Sequence, residues 1–305
     1  RENVGCPEYE TTGPLLGKIM WGQREGYNEL QDSHNCGSNV IPLNGKYRAG
    51  CTMVAFGQIM KYHKDYGVLP INDTNMVNYV TDKFDTSQTF PVSFLLKTLY
   101  NQTVNTSRDC VGTGAFIYDA ARALRGNVVN PWSFRYSSAQ YVNYHNTTIV
   151  WQNIVELKLP VVLCGYSVNL NKNAKLRINY SQYDKPKVYG MTIGTGHAWV
   201  CDGFKEEYQK VKVTNNTTNE VTFERDLKRE FWHMNWGWHI ADNDYAPRNG
   251  WYRDGLFKPK GENNGNKLID YNDIIGYDVN GDGISDGAFH DGYYYDRSMV
   301  IDIIP

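Results

Sequence analysis

The sequence has no apolar run of 18 residues or more, so no stretch of it reads as a membrane-spanning helix. It also lacks an excess of either charge: 31 basic and 33 acidic residues leave a formal net charge of -2. Nucleic acid and anionic membrane surfaces are therefore poor candidates for partners. Cysteine is sparse. Cys6, Cys36, Cys51, Cys110, Cys164 and Cys201 are spread over 305 residues with no C-x-x-C pair. That excludes a zinc motif of this spacing and a dense disulfide scaffold. Cys6 and Cys36 could bridge in an oxidising compartment, whereas Cys164 and Cys201 read as small buried hydrophobes on strands. No two histidines are spaced H-x-x-x-H on a helix, which removes another zinc pattern. The opening RENVGCPEYE is polar and has no Met, so no signal peptide is visible and Arg1 reads as the start of a processed product.

What is present is enough to build a large core. The chain is 41% hydrophobic and 14% aromatic, with 23 Tyr, 11 Phe and 8 Trp. Its length allows a single domain over 1–305 made of two lobes. The first 50 residues are loop-rich. A helix is expected from Cys51 through CTMVAFGQIMKYHK, where Met53, Phe56 and Met60 recur at helical spacing and Val54 and Ile59 widen the apolar face. Further helices are expected over about 91–102, in GAFIYDAARALRGN with Gly126 as its stop, and in TIVWQNIVELK before Pro160. From PVVLCGYSV onward the texture turns to strands: GHAWVCDGF, KVKVTN, EVTFER, EFWHMNWGW and GWYRDGLF, separated by turn residues. The hydrophilic stretch between His197 and Asn235 reads as an extended hairpin with its tip near TNNTTNE. The fold class is thus α+β, with a mostly helical lobe over about 15–158 and a mostly antiparallel β lobe over about 159–305.

Four residues carry chemistry in combination. Cys51 follows Gly50 where loop becomes helix, and the free N–H groups of a helix start favour a thiolate. His197 follows Gly194, Thr195 and Gly196, small residues that leave room for a substrate backbone beside an imidazole. Such a base takes the thiol proton and returns it to a leaving amine. Asn235 in HMNWGW could orient that imidazole, with Trp236 or Trp238 shielding the bond from water. Gln23 in WGQREGYN could share an oxyanion with the N–H of Cys51. Each alone has an ordinary structural explanation. His233 competes with His197, and His63 lies three turns from Cys51, too far to be its base.

The order Gln, helix-borne Cys, strand-borne His and Asn-Trp resembles the streptopain family of papain-fold cysteine peptidases, which includes interpain-like enzymes of Gram-negative anaerobes. WGQREGYNEL, AGCTMVAFGQIMKYHKDYG, GTGHAWVCDGF and HMNWGW carry the resemblance, between about residues 14 and 257. It implies a papain-like fold with a cleft between the lobes. It also implies Cys51 as nucleophile, His197 as base, Gln23 as oxyanion donor, and Asn235 with Trp236 as the orienting pair. Synthesis as a zymogen with its own propeptide, protein or peptide substrates, no required cofactor, and a secreted, periplasmic or cell-surface location in a bacterium are implied too. Cys-His pairs also serve acyl transfer to amines, and a catalytically idle binding module could keep the same fold.

The tail adds a separate candidate. Asp278, Asn280, Asp282 and Asp286 follow D-x-N-x-D-G-x-x-D, the first part of a calcium loop. The twelfth position is Phe289, where such loops carry a bidentate Glu. A structural calcium ion is the expected ligand if the loop binds one, and a polar turn is the alternative.

Overall fold

The helix that begins at Cys51 is apolar on almost every side. In the computed structural model it runs Cys51–His63 (α1), with Met53, Val54, Phe56, Ile59 and Met60 all within 1% of complete burial. A helix of that kind has to be packed all round, and its few buried polar groups serve as ties to the loops that cover it. Gln58 Oε1 accepts the Trp21 N–H at 3.0 Å, and Thr52 Oγ1 donates to the Ala115 carbonyl at 2.9 Å. Lys61 Nζ lies 2.6 Å from Asp73 Oδ1. Lys64 ends the helix in a left-handed conformation, φ 56°, with its N–H returned to the Met60 and Lys61 carbonyls.

The structure describes residues 2–3, 8–35, 45–67, 69–108, 112–126, 134–170, 177–179, 187–189, 191–214, 221–239, 249–253 and 293–305. Strands β1 (Glu2–Asn3) and β2 (Glu8–Thr12) precede α1. After it come α2 (Thr86–Gln102), β3 (Ser107–Arg108), β4 (Thr113–Gly114), α3 (Ile117–Arg125), β5 (Gln140–Val142) and α4 (Thr147–Trp151). The later strands are β6 (Val161–Leu170), β7 (Arg177–Asn179), β8 (Lys187–Tyr189), β9 (Met191–Thr214), β10 (Val221–Asn235), β11 (Gly250–Arg253) and β12 (Tyr293–Ile301), of which β7 and β8 form a two-stranded sheet of their own, as do β3 and β4.

Two helices differ from the sequence expectation. α2 starts at Thr86, five residues before the expected 91, because the Asp85 carboxylate accepts the Ser87 N–H and caps it. Pro91 therefore lies inside the helix instead of opening it. The last helix is α-helical only to Trp151, and Gln152–Glu156 widens into a π turn. No described helix is long and apolar enough to cross a membrane.

The described helices lie between residues 51 and 156, and the sheet draws most of its strands from beyond 161. It is antiparallel, ordered β11-β10-β9-β6-β12-β5. β9 is its axis. One edge of β9 pairs with β10 from Thr214↔Val221 to Val200↔Asn235, with register shifts between Val221 and Phe223 and between His233 and Met234, so the insert between His197 and Asn235 is a long hairpin. The other edge pairs in turn with β6, β2 and β1. Alternation along β9 divides two cores. Ala198 and Val200 face the α1 core, while Trp199 and Cys201 face a second core with Trp232, Met234, Trp236 and Tyr252.

Candidate active site

Cys51 is held by what precedes it. Gly50 has φ 96°, a backbone that L side chains avoid, and a Cβ there would sit 3.2 Å from both Thr113 Cγ2 and the Thr113 carbonyl oxygen. Thr113 Oγ1 in turn donates to the Arg48 carbonyl at 2.7 Å, and the Ala49 N–H donates to the Gln23 carbonyl at 2.9 Å. The chain thus reaches α1 at a fixed angle, and Cys51 is its first residue. Burial pushes the Cys51 thiol up, and the backbone N–H groups of Ala198 and Thr52 beside the sulfur pull in the opposite direction. The helix-start effect expected from the sequence is present but smaller than the desolvation.

His197 is buried on β9 opposite Gly165 of β6. Its ring belongs to an aromatic cluster: Trp238 at 4.7 Å between centroids, Trp236 at 5.9 Å and Trp199 at 6.2 Å, the last two nearly parallel to it. Nε2 lies 2.9 Å from the Trp236 carbonyl oxygen. A carbonyl only accepts, so Nε2 carries the proton and Nδ1 the lone pair. Burial lowers the imidazole to about 4, against a smaller opposing pull from that carbonyl. At neutral pH His197 is therefore an uncharged base of fixed tautomer.

Asn235 is not the group on the imidazole. Its Nδ2 donates to the Ile19 carbonyl at 2.7 Å, and its Oδ1 accepts the Gly237 N–H at 3.2 Å. The expected side-chain contact is replaced by the backbone carbonyl of the next residue. The reason is local: Asn235 ends β10, and its amide closes the turn through Gly237, φ 66°, which aims the Trp236 carbonyl at His197.

Cys51 and His197 open on one cleft of about 580 Å³. One wall is lined from the 105–119 region by residues 105, 107 and 113–119, including Gly114, Phe116 and Tyr118; the other comes from β6, β9 and β12. The Peptidase C10 family model matches residues 21–246. The chain belongs to the Peptidase C10 family. It is a cysteine peptidase, with the mixed helical and antiparallel fold expected. Among solved structures it is similar to the active wild-type interpain A cysteine protease of Prevotella intermedia, at 16% identity and a TM-score of 0.55, covering 97% of this chain and 96% of that one. A mutant fragment of prointerpain A from the same organism is similar at 17% identity and a TM-score of 0.50, over 97% of this chain and 73% of that one. No curated protein matches the peptidase.

Other expected residues fall in different places. Gln23 does not line the cleft among the described residues; its backbone is bonded to Ala49, two residues before Cys51. Gly196 is exposed and lines the cleft, while Gly194 and Thr195 precede it on β9 as strand positions. His233 sits with Nδ1 2.6 Å from Asp202 Oδ1, an ion pair or hydrogen bond away from the cleft. Cys201 is buried as expected, but Cys164 is half-buried and lines the cleft, with Sγ 3.1 Å from Ser298 Oγ. Cys164 pairs in register with Ala198 at the inner end of β6, which exposes it to the cavity. Cys6 and Cys36 lie outside the described residues, as do Asp278, Asn280, Asp282 and Asp286. Among the described residues no cluster of three or more His, Cys, Asp or Glu is suited to a metal.

Sequence reasoning missed the Trp236 carbonyl, the Ala198 N–H and the 105–119 wall. The first had a visible signal: Trp at alternate positions, 199 after His197 and 238 after 236, marks strands whose aromatic faces could meet.

Proposed function

We propose that this cysteine peptidase is an endopeptidase that cleaves polypeptides through Cys51 and His197. The observation that carries the proposal is the meeting, in one cleft, of a thiol on a helix start and an imidazole whose tautomer leaves Nδ1 as acceptor. In this reading an extended peptide lies between the 105–119 wall and β9. His197 Nδ1 takes the Cys51 proton as sulfur attacks the scissile carbonyl. Burial disfavours each charge alone, and the thiolate and imidazolium stabilise one another as a pair. The N–H of Cys51 holds the oxyanion, the Gln23 amide, which lies off the cleft lining, joins it once a bound peptide draws that side chain in, and His197 then protonates the leaving amine. A water molecule deprotonated by the neutral imidazole releases the acyl group from sulfur. Trp236 orients His197 through its carbonyl, and Asn235 secures the turn that presents it.

The exposed aromatic residues Phe116 and Tyr118 and the small Ala198 favour an apolar substrate side chain next to the catalytic pair. No cofactor enters this chemistry. A secreted bacterial zymogen is the parent form we propose, in keeping with the likeness to a prointerpain A fragment.

Hydrolysis of denatured casein under reducing conditions tests this, with wild type beside Cys51→Ala and iodoacetamide mapping of the cysteines. Activity lost in the variant, with Cys51 alkylated ahead of Cys164 and Cys201, is the expected result. Activity retained in Cys51→Ala, or no activity in either protein, overturns the assignment.

A further inference from the structure

The turn that follows β10 carries two of the groups that hold His197. Trp236 presents its carbonyl to Nε2, and Trp238 presents the aromatic ring nearest the imidazole. The near end of this turn is secured by the Asn235 amide on the Ile19 carbonyl. At its far end comes His239, which is buried and does not line the Cys51 cleft. An imidazole taken out of water needs partners for its ring nitrogens. His239 Nδ1 lies 2.7 Å from Tyr27 Oη, and the two rings meet edge to face.

Tyr27 is fully buried, and its hydroxyl is a meeting point. Oη accepts the Val80 N–H at 2.9 Å and lies 3.2 Å from the Met20 carbonyl oxygen. Burial pushes the Tyr27 phenol up, so it keeps its proton. Two arrangements satisfy it. The phenol donates to His239 Nδ1, or Nδ1–H donates to the phenol, whose proton then turns to Met20. The tie therefore holds whichever nitrogen of His239 is protonated.

The backbones meet at the same place. The His239 N–H points to the Trp21 carbonyl at 3.4 Å, and a Cβ on Gly22 would fall 1.7 Å from the His239 carbonyl oxygen. Trp21 is tied in turn to α1, because Gln58 Oε1 accepts its N–H. Contacts thus run from the helix that carries Cys51, through Trp21 and His239, to the turn that covers His197. The surrounding fold does not depend on the His239 ring. Without it, Tyr27 still bonds Val80 and Met20, and the 19–23 segment still bonds Asn235 and Gln58. What goes is the side-chain tie at the far end of the turn.

We propose that His239 is a positioning residue of the peptidase reaction: its bond to Tyr27 pins the turn 236–239, and through that turn it keeps the Trp236 carbonyl and the Trp238 ring on His197. The inference rests on His197 being the base that serves Cys51.

The test compares His239→Ala, His239→Asn and Tyr27→Phe in the full chain. Three quantities are read: kcat and KM on a quenched fluorescent peptide taken from a casein cleavage site, the rate of Cys51 alkylation by iodoacetamide, and circular dichroism. A mispositioned base slows both attack on the peptide and attack on iodoacetamide. His239→Ala should lower kcat by about tenfold or more, with KM changed by less than about twofold and Cys51 alkylation slowed in parallel. A purely structural role would not single out kcat. In His239→Asn the side-chain amide can replace Nδ1, and kcat should return to within about threefold of wild type. Tyr27→Phe should behave like His239→Ala, and the double variant should lose no more than Tyr27→Phe alone. Should Tyr27→Phe fail to fold, the Ala and Asn variants decide. Wild-type kcat in His239→Ala while Cys51→Ala is inactive would overturn this inference alone, as would equal losses in His239→Ala and His239→Asn, or Cys51 alkylation at the wild-type rate. Activity kept in Cys51→Ala would instead overturn the catalytic assignment and this inference with it.

Discussion

Cys51 and His197 reach the same cleft by opposite means. Cys51 is placed first by its neighbours in sequence, a left-handed glycine and the first turn of α1, with bonds from residues 48 and 49 to Thr113 and Gln23 anchoring the loop that leads to them. His197 is placed largely by residues far along the chain, a carbonyl 39 positions away and Trp236 and Trp238 in the turn after β10, with Trp199 of its own strand completing the aromatic cluster. A nucleophile held locally is positioned by backbone geometry. A base held at long range is positioned by packing, and its proton is fixed by whatever carbonyl the packing delivers.

The largest expected effect tests the long-range side. His197→Ala should lower casein hydrolysis by about 10³-fold or more, with secondary structure by circular dichroism unchanged. A loss of less than tenfold would mean that the base lies elsewhere. On the local side, Gly50→Ala places a Cβ at φ 96° against Thr113. Strain of about 1–2 kcal/mol should appear in urea unfolding. A displaced sulfur should lower kcat by about 100-fold. If activity survives intact, the glycine does not set the position of Cys51.

The pH dependence sharpens the same contrast. The folded pKa of His197, about 4, lies below its ordinary value of 6.5. The unfolded chain therefore binds the proton more readily. The resulting destabilisation is absent above pH 6.5, grows as pH falls, and is complete below about 4. A difference of this size corresponds to about 3 kcal/mol, and denaturant melts of wild type and His197→Gln at pH 7 and pH 4 should diverge by that order. Equal slopes in the two proteins would show that His197 is not buried as a neutral base. Activity should persist well below pH 6 for as long as the fold does.

The smallest effect concerns Asn235. Its amide is bonded to Ile19 and Gly237, so Asn235→Ala should cost about 1–3 kcal/mol of stability. The acid limb of the pH–rate profile should stay in place, because the Trp236 carbonyl remains on His197. A shift of that limb would return the orienting role to the Asn235 side chain.

Much of the local side was legible in the sequence. Gly50, the apolar spacing of Met53, Phe56 and Met60, and the stop at Gly126 all act within a few residues, and α1 and α3 lie close to where the pattern puts them. The start of α2 was missed because Pro91 is a strong signal and the Asp85 cap a weak one. On the long-range side the residue types were visible, but their partners were not. HMNWGW does not say that the amide of Asn235 turns to Ile19 while the carbonyl of Trp236 turns to His197. Nor does PVVLCGY say that Cys164 opens on the cleft. By itself the sequence determined the helices, the strand-rich second half and the identities of the Cys and His, because periodicity and chain-breaking residues act over one or two turns. Only the tertiary structure decided which atoms face each other, because strand register and packing join residues that the chain holds tens to hundreds of positions apart.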